Sequence, residues 1–157
     1  MSINILDTEA GTVIRKFRLL TDSGVWFDSI DGRVRNLILQ MIQNDQLRKR
    51  GVDEFGEVIG YYSMTTDAIT NGQKAFNTHY TFEDTGEFFN KMFVIVMRDS
   101  LVIDSDGADK VDENGTTNLF NEYGNKIIGL TDANMEKLIQ LLRKKYIAYA
   151  RKVLDIN

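Results

Sequence analysis

The chain has 157 residues, 43% hydrophobic and 27% charged, enough for one compact domain over residues 1–157 with its own core and too short for a second of ordinary size. It contains no cysteine and one histidine, His79, which excludes disulfides, thiolate metal sites and a histidine-based zinc centre. A formal charge of -4 argues against nucleic-acid binding over the whole surface, though a local basic patch remains open.

The opening segment has no basic stretch followed by an apolar core, and no run of eighteen apolar residues occurs anywhere, so the sequence predicts a chain that is neither secreted nor inserted in a membrane. There is no proline, which leaves glycine, asparagine and aspartate to make the turns. Residues 7–20 are predicted as a short helix capped by Asp7, with Val13, Ile14, Phe17 and Leu20 on one stripe. Residues 1–30 as a whole are assigned as an amino-terminal extension or arm. A stronger helix is predicted over residues 31–50, where Val34, Leu37, Ile38, Met41 and Ile42 share a face. Basic residues at its carboxyl end suit the helix dipole, and Gly51 stops it.

Residues 53–56 are predicted as a turn and residues 58–62 as a short strand. The polar run that follows, with Gly72 and two asparagines, predicts one helical turn and then loop. The clearest β signal is residues 93–97, an apolar and β-branched run that Arg98, Asp99 and Ser100 can turn back into residues 101–104 as a hairpin. Residues 104–118 are predicted as an exposed acidic loop, free to move, because Val111 is their only large apolar side chain. The longest helix follows, opened by Thr131 and running to about Leu154. Its stripe is Met135, Leu138, Ile139, Leu142, Tyr146, Tyr149, Ala150 and Val153, and its opposite face carries Lys137, Arg143, Lys144, Arg151 and Lys152. The predicted fold class is α+β: a small antiparallel sheet or hairpin packed by amino-terminal helices and a long carboxyl-terminal helix.

Asp84, Thr85 and Gly86 spell the triplet of an aspartic protease. Such an enzyme sets its aspartate on a loop fed by an apolar strand, so that two carboxylates share a proton in a dry cleft. Here Glu83 brings charge where burial is required and Glu87 follows where a small residue would fit the close-packed loop, and the triplet is better suited to a structural turn in which Asp84 or Thr85 caps a short helix and Gly86 allows the bend. Asp104, Asp106, Asp109 and Asp112 offer hard oxygens for calcium, but the glycine stands fourth from Asp104 and no glutamate closes a twelve-residue loop, so neither a metal nor another cofactor is assigned. His79 has no serine or cysteine motif to serve and is assigned to loop packing. Charge is unevenly spread. Residues 131–157 hold six bases and three acids, whereas residues 99–122 hold seven acids and one lysine, a polarity that could join identical copies head to tail.

Three stretches taken in order, "NDQLRKRGVDEFGEVIGYYSMTT", "GQKAFNTHYTFEDTGEFFNKMFVIV" and "NLFNEYGNKIIGLTDANMEKLIQLLRKKY", resemble small tail-completion or neck proteins of tailed bacteriophages. Asp84-Thr85-Gly86 matches the family's turn into a hairpin, Phe88 the apolar position beyond it, and Glu122-Tyr123-Gly124 its aromatic-glycine element. The likeness spans about residues 40–150 and departs from the pattern at Lys91 and in the proline-free approach to the last helix. It implies a non-enzymatic ring subunit at the head-tail junction, made in the host cytoplasm and carried in the virion. The implied partners are copies of itself and other junction or tail proteins, with passive contact to passing DNA and no membrane. Tyr61, Tyr62, Tyr80, Tyr123, Arg143, Lys144 and Arg151 are the candidate interface residues. The alternatives from other classes are a hydrolase using Asp84 and a small regulatory or nucleic-acid-contacting module using the last helix.

Overall fold

The computed structural model describes residues 9–22, 24–112 and 115–156. The fold is α+β, with two two-stranded antiparallel sheets among helices and a long carboxyl-terminal helix. Two helices come first, α1 (Glu9–Thr21) and α2 (Gly24–Asp28). They lie on the last helix, α7 (Asp132–Leu154), where the Tyr146 hydroxyl donates to the Leu20 carbonyl at 2.7 Å and Lys16 pairs with Asp155. Asp7, the predicted cap of α1, lies outside the described residues. The predicted inward stripe of α1 does not find a core: Val13, Ile14 and Phe17 are exposed.

The helix predicted over residues 31–50 begins as α3 (Gly32–Gln40), with Asp31 as its cap accepting from the Val34 amide, and continues as a π-helical segment (Met41–Arg48). The switch has a reason in the spacing of the buried side chains. Val34, Ile38, Ile42 and Gln46 are each at most 2% exposed and lie four residues apart. In an α-helix every step of four overshoots the turn by about 40°, so the stripe would drift off the core. The wider π turn, with bonds such as Lys49 amide to Asn44 carbonyl, keeps Gln46 in line. Gly51, at φ +60°, then ends the helix in a conformation that side chains resist.

Residues 58–62 form no strand; the backbone makes only isolated bridges, Val52 to Val58 and Tyr61 to His79. Alternation of buried side chains is absent here, since Val58 and Tyr61 are exposed, and nothing rewards a regular ladder. After α4 (Met64–Ile69) and α5 (Glu87–Asn90) comes the predicted hairpin, β1 (Met92–Val96) with β2 (Leu101–Ser105), registered Met92 to Ser105 and Val96 to Leu101.

The acidic loop expected over residues 104–118 is largely structured. β3 (Asp109–Asp112) pairs with β4 (Gly115–Asn118) as a second hairpin. Three anchors order it where composition promised none: Ser105 donates to the Phe88 carbonyl at 2.7 Å, Ala108 is buried, and Asn118 donates to Asp109 at 2.7 Å. Asn118 also caps α6 (Leu119–Tyr123), which leads through a 3-10 turn (Asn125–Ile128) into α7.

The core joins α3 and the π segment to Phe88, Phe89, Met92, Val94, Ile127, Ile128 and Leu138. α7 is turned relative to its predicted stripe. Asn134 and Leu138 are buried, whereas Met135 and Ile139 are exposed, because the helix is held at its start by a polar contact. Gln46, wholly buried, donates to the Gly129 carbonyl at 2.8 Å and accepts from the Thr131 amide and the Asn134 side chain, both at 2.9 Å. Thr131 occupies the cap position, yet its hydroxyl caps nothing; it is buried without a partner among the described residues.

Candidate functional site

The Asp-Thr-Gly turn forms one wall of a cleft of about 370 Å3. The segment before α4, α4 itself and the segment after it supply Tyr62, Thr66 and Lys74 in turn; the approach to the turn supplies Tyr80 and Phe82; the second hairpin supplies Asp109, Lys110 and Val111; and α6 supplies Leu119 and Tyr123. The walls are aromatic and mutually packed. Tyr62 meets Tyr80 edge-on with centroids 5.0 Å apart, Tyr80 meets Tyr123 at 5.9 Å, and Phe82 meets Tyr123 at 5.3 Å. Phe82 holds a left-handed backbone, φ +56°, which is strained for a bulky residue and is kept by this packing. Burial pushes the Tyr123 hydroxyl above its ordinary pKa, and the neighbouring Glu122 adds to the shift, so it stays protonated and able to donate.

Gly86 stands at φ +81° at the amino end of α5, and the Thr85 hydroxyl accepts from the Glu87 amide at 3.3 Å. Asp84 does something other than cap. Its two oxygens face two ammonium groups, Lys110 at 2.9 Å and Lys74 at 3.4 Å. The Lys110 hydrogen bond is the main cause of a pKa below the ordinary carboxylate range, with partial burial opposing it. Asp84 therefore ties the turn to the segment after α4 and to β3. A proton-sharing dyad requires one carboxyl to stay neutral, which is the reverse of this environment.

The structure brings together Tyr62, Tyr80 and Tyr123 of the predicted interface set and places Tyr61 outside, 54% exposed. Arg143, Lys144 and Arg151 are exposed on α7 and make no ion pair with the described residues. Lys145 differs from its basic neighbours: it turns inward to Asp31 at 2.7 Å and the Ser29 carbonyl at 3.0 Å. His79 packs against Gly51 and hydrogen-bonds the Arg48 carbonyl at 2.9 Å. Among the described residues, no group of three or more His, Cys, Asp or Glu side chains is placed to hold a metal ion, and no helix is long and apolar enough to cross a membrane.

Sequence reasoning missed Lys74, Lys110 and Phe82. Phe82 and Phe88 flank the triplet symmetrically, two residues before Asp84 and two after Gly86, and that spacing was the available signal for an aromatic recess. Nothing local marks the lysines, which reach Asp84 from ten residues before it and 26 after it. Compared with known proteins, the chain matches no family model, no curated sequence and no solved structure.

Proposed function

We propose that this chain is a structural subunit of a tailed-bacteriophage virion, a neck, tail-completion or related ring component of the head-tail junction, acting by assembly and not by catalysis. The observation that carries this reading is the surface. Val13, Phe17 and Leu19 on α1, Met64 and Ile69 on α4, and the exposed pair Ile95 and Val102 on the first hairpin present apolar area to solvent. Four cations of α7, at positions 143, 144, 151 and 152, make no ion pair among the described residues. Surfaces of this kind are covered in an assembly. The resemblance over about residues 40–150 supplies the virion context. The partners are copies of the chain and neighbouring junction or tail proteins, met in the host cytoplasm during assembly; contact with passing DNA is passive, and no membrane is involved.

Mass spectrometry and cryo-electron microscopy of the particles made by the encoding replicon test the reading. We expect the chain at fixed copy number in a ring at the neck or tail end, and heads unjoined to tails when its gene is deleted. Infectious particles made without the chain would overturn the assignment. So would peptide cleavage at acid pH by the purified protein that disappears in Asp84→Asn.

A further inference from the structure

We propose that Asn71 is a site at which the folded chain modifies itself: the backbone nitrogen of Gly72 attacks the Asn71 side-chain amide, and residue 71 becomes aspartate or isoaspartate.

The chemistry needs only water. The Gly72 nitrogen forms a bond to Asn71 Cγ, the bond from Cγ to Nδ2 breaks, and ammonia leaves with the proton that the glycine nitrogen gives up. Water then opens the resulting cyclic imide at either of its carbonyls. Opening at the side-chain carbonyl leaves aspartate; opening at the main-chain carbonyl leaves isoaspartate, with the side-chain methylene now part of the backbone path. By both routes an amide and a water become a carboxylic acid and ammonia. Glycine in the following position favours the attack, because it has no Cβ to crowd the approach.

The fold selects the residue. Glycine follows asparagine or aspartate at four places, after Asp31, Asn71, Asp106 and Asn114, and the last of these lies outside the described residues. Asp31 is engaged on both oxygens, by the Val34 amide at 3.0 Å and by Lys145 at 2.7 Å. The Lys145 hydrogen bond keeps its carboxyl ionised below the ordinary range, and an ionised carboxylate is a poor target for a nucleophile. Gly107, after Asp106, is buried against the Glu87 carbonyl, and its amide is held by the Ser105 hydroxyl at 3.1 Å. Asn71 and Gly72 are different. Both are exposed, and the Asn71 side chain makes no hydrogen bond among the described residues. Around Gly72 there is open space, with only Asp67 Oδ1, at 3.9 Å, near the place a side chain would occupy. One bond guards the nitrogen, from the Gly72 amide to the Asp67 carbonyl at 3.0 Å. It closes α4, a helix of six residues with none buried, and Asn71 beside it holds a left-handed backbone at φ +50°. A turn with so little burial opens locally while the rest of the molecule stays folded.

Peptide mapping by mass spectrometry of the purified full chain, aged in mildly alkaline buffer with and without urea, tests the site, using fragmentation that separates aspartate from isoaspartate. Conversion of residue 71 in the folded chain is expected to run within about tenfold of its rate in urea, the protection given by one exposed backbone bond. For isoaspartate at Asp31 and Asp106 the fold should slow formation about a hundredfold or more. Asn71→Gln, whose longer side chain closes a less favoured ring, should lose the conversion at that position and keep the melting curve of the parent. Residue 71 converting in urea but keeping its amide in the folded chain would overturn the proposal. So would conversion in neither condition, or protection by the fold as strong at residue 71 as at Asp31 and Asp106.

Discussion

Asp84 is a carboxylate with two cationic neighbours and half its side chain in water, so its ion pairs hold loops together more than they stabilise the fold. Exposed pairs contribute about 0 to 1 kcal/mol each. Asp84→Asn is therefore expected to leave the melting temperature nearly unchanged while amide exchange in β3 accelerates, a pattern readable by hydrogen-exchange mass spectrometry. Gly86 is less forgiving. At φ +81° a branched side chain is strained by roughly 1 to 2 kcal/mol or more, and Gly86→Val should lower the denaturation midpoint clearly where the asparagine variant does not. Thr131 makes the opposite case. Its hydroxyl is buried with no partner among the described residues, and the backbone at this position is extended, which valine accepts readily. Thr131→Val should stabilise the protein by roughly 0.5 to 1.5 kcal/mol in urea unfolding, because the desolvation cost of the hydroxyl disappears.

At the scale of elements, the junction between the π segment and α7 depends on one amide. Gln46 serves three partners, the Gly129 carbonyl, the Thr131 amide and the Asn134 side chain, and so ties the start of α7 to the π segment. Gln46→Leu keeps the size but strands those groups in the interior, for an expected loss of roughly 2 to 4 kcal/mol by chemical denaturation. This junction was not legible in the sequence, where a glutamine between asparagine-aspartate and leucine in a charged helix suggests a solvated face. The elements that burial alone dictates were legible: α3 from its four-residue recurrence, the first hairpin from its β-branched run, and the extent of α7. What escaped depends on distant partners. β3 and β4 owe their order to Ser105, Ala108 and the Asp109–Asn118 contact, and the facing of α7 depends on Gln46, 88 residues before Asn134. The candidate site divides the same way, its tyrosines visible in advance and its lysines brought in by the fold.

Across the whole molecule, carboxylates joined to basic groups between distant segments set the response to acid. Asp31 is held below its ordinary value of 3.8 chiefly by the Lys145 hydrogen bond, joining the start of α3 to α7. Burial of Asp53, 1% exposed, works against ionisation, but the Lys126 pair at 2.9 Å and the Glu57 and Phe55 amides outweigh it and the pKa falls. Each depressed carboxyl binds fewer protons in the folded state than in the unfolded chain. Its contribution is therefore full above the ordinary carboxylate value and is lost as pH falls through the lower folded value. Urea midpoints should be level near neutral pH and drop below about pH 4. Asp53→Asn, which keeps an amide oxygen for the backbone donors but loses the ion pair, should cost roughly 1 to 3 kcal/mol at pH 7 and converge with the parent chain near pH 2. A difference between the two curves that is unchanged down to pH 2 would count against this account of the Asp53–Lys126 pair.

The π segment makes the chain sensitive to its count of residues as well as to their chemistry. Deleting one residue between Met41 and Gln46 would let ordinary α-helical bonding resume, and the isolated segment would be the better helix for it. The excision would also change the rotation of everything beyond it relative to α3, carrying the amide of Gln46 away from Gly129 and α7. A deletion inside the wide turn would change which side of the molecule the carboxyl-terminal helix is fastened to. The surplus residue acts as a phase setting: remove it, and a locally improved helix points its one indispensable side chain at the wrong neighbour.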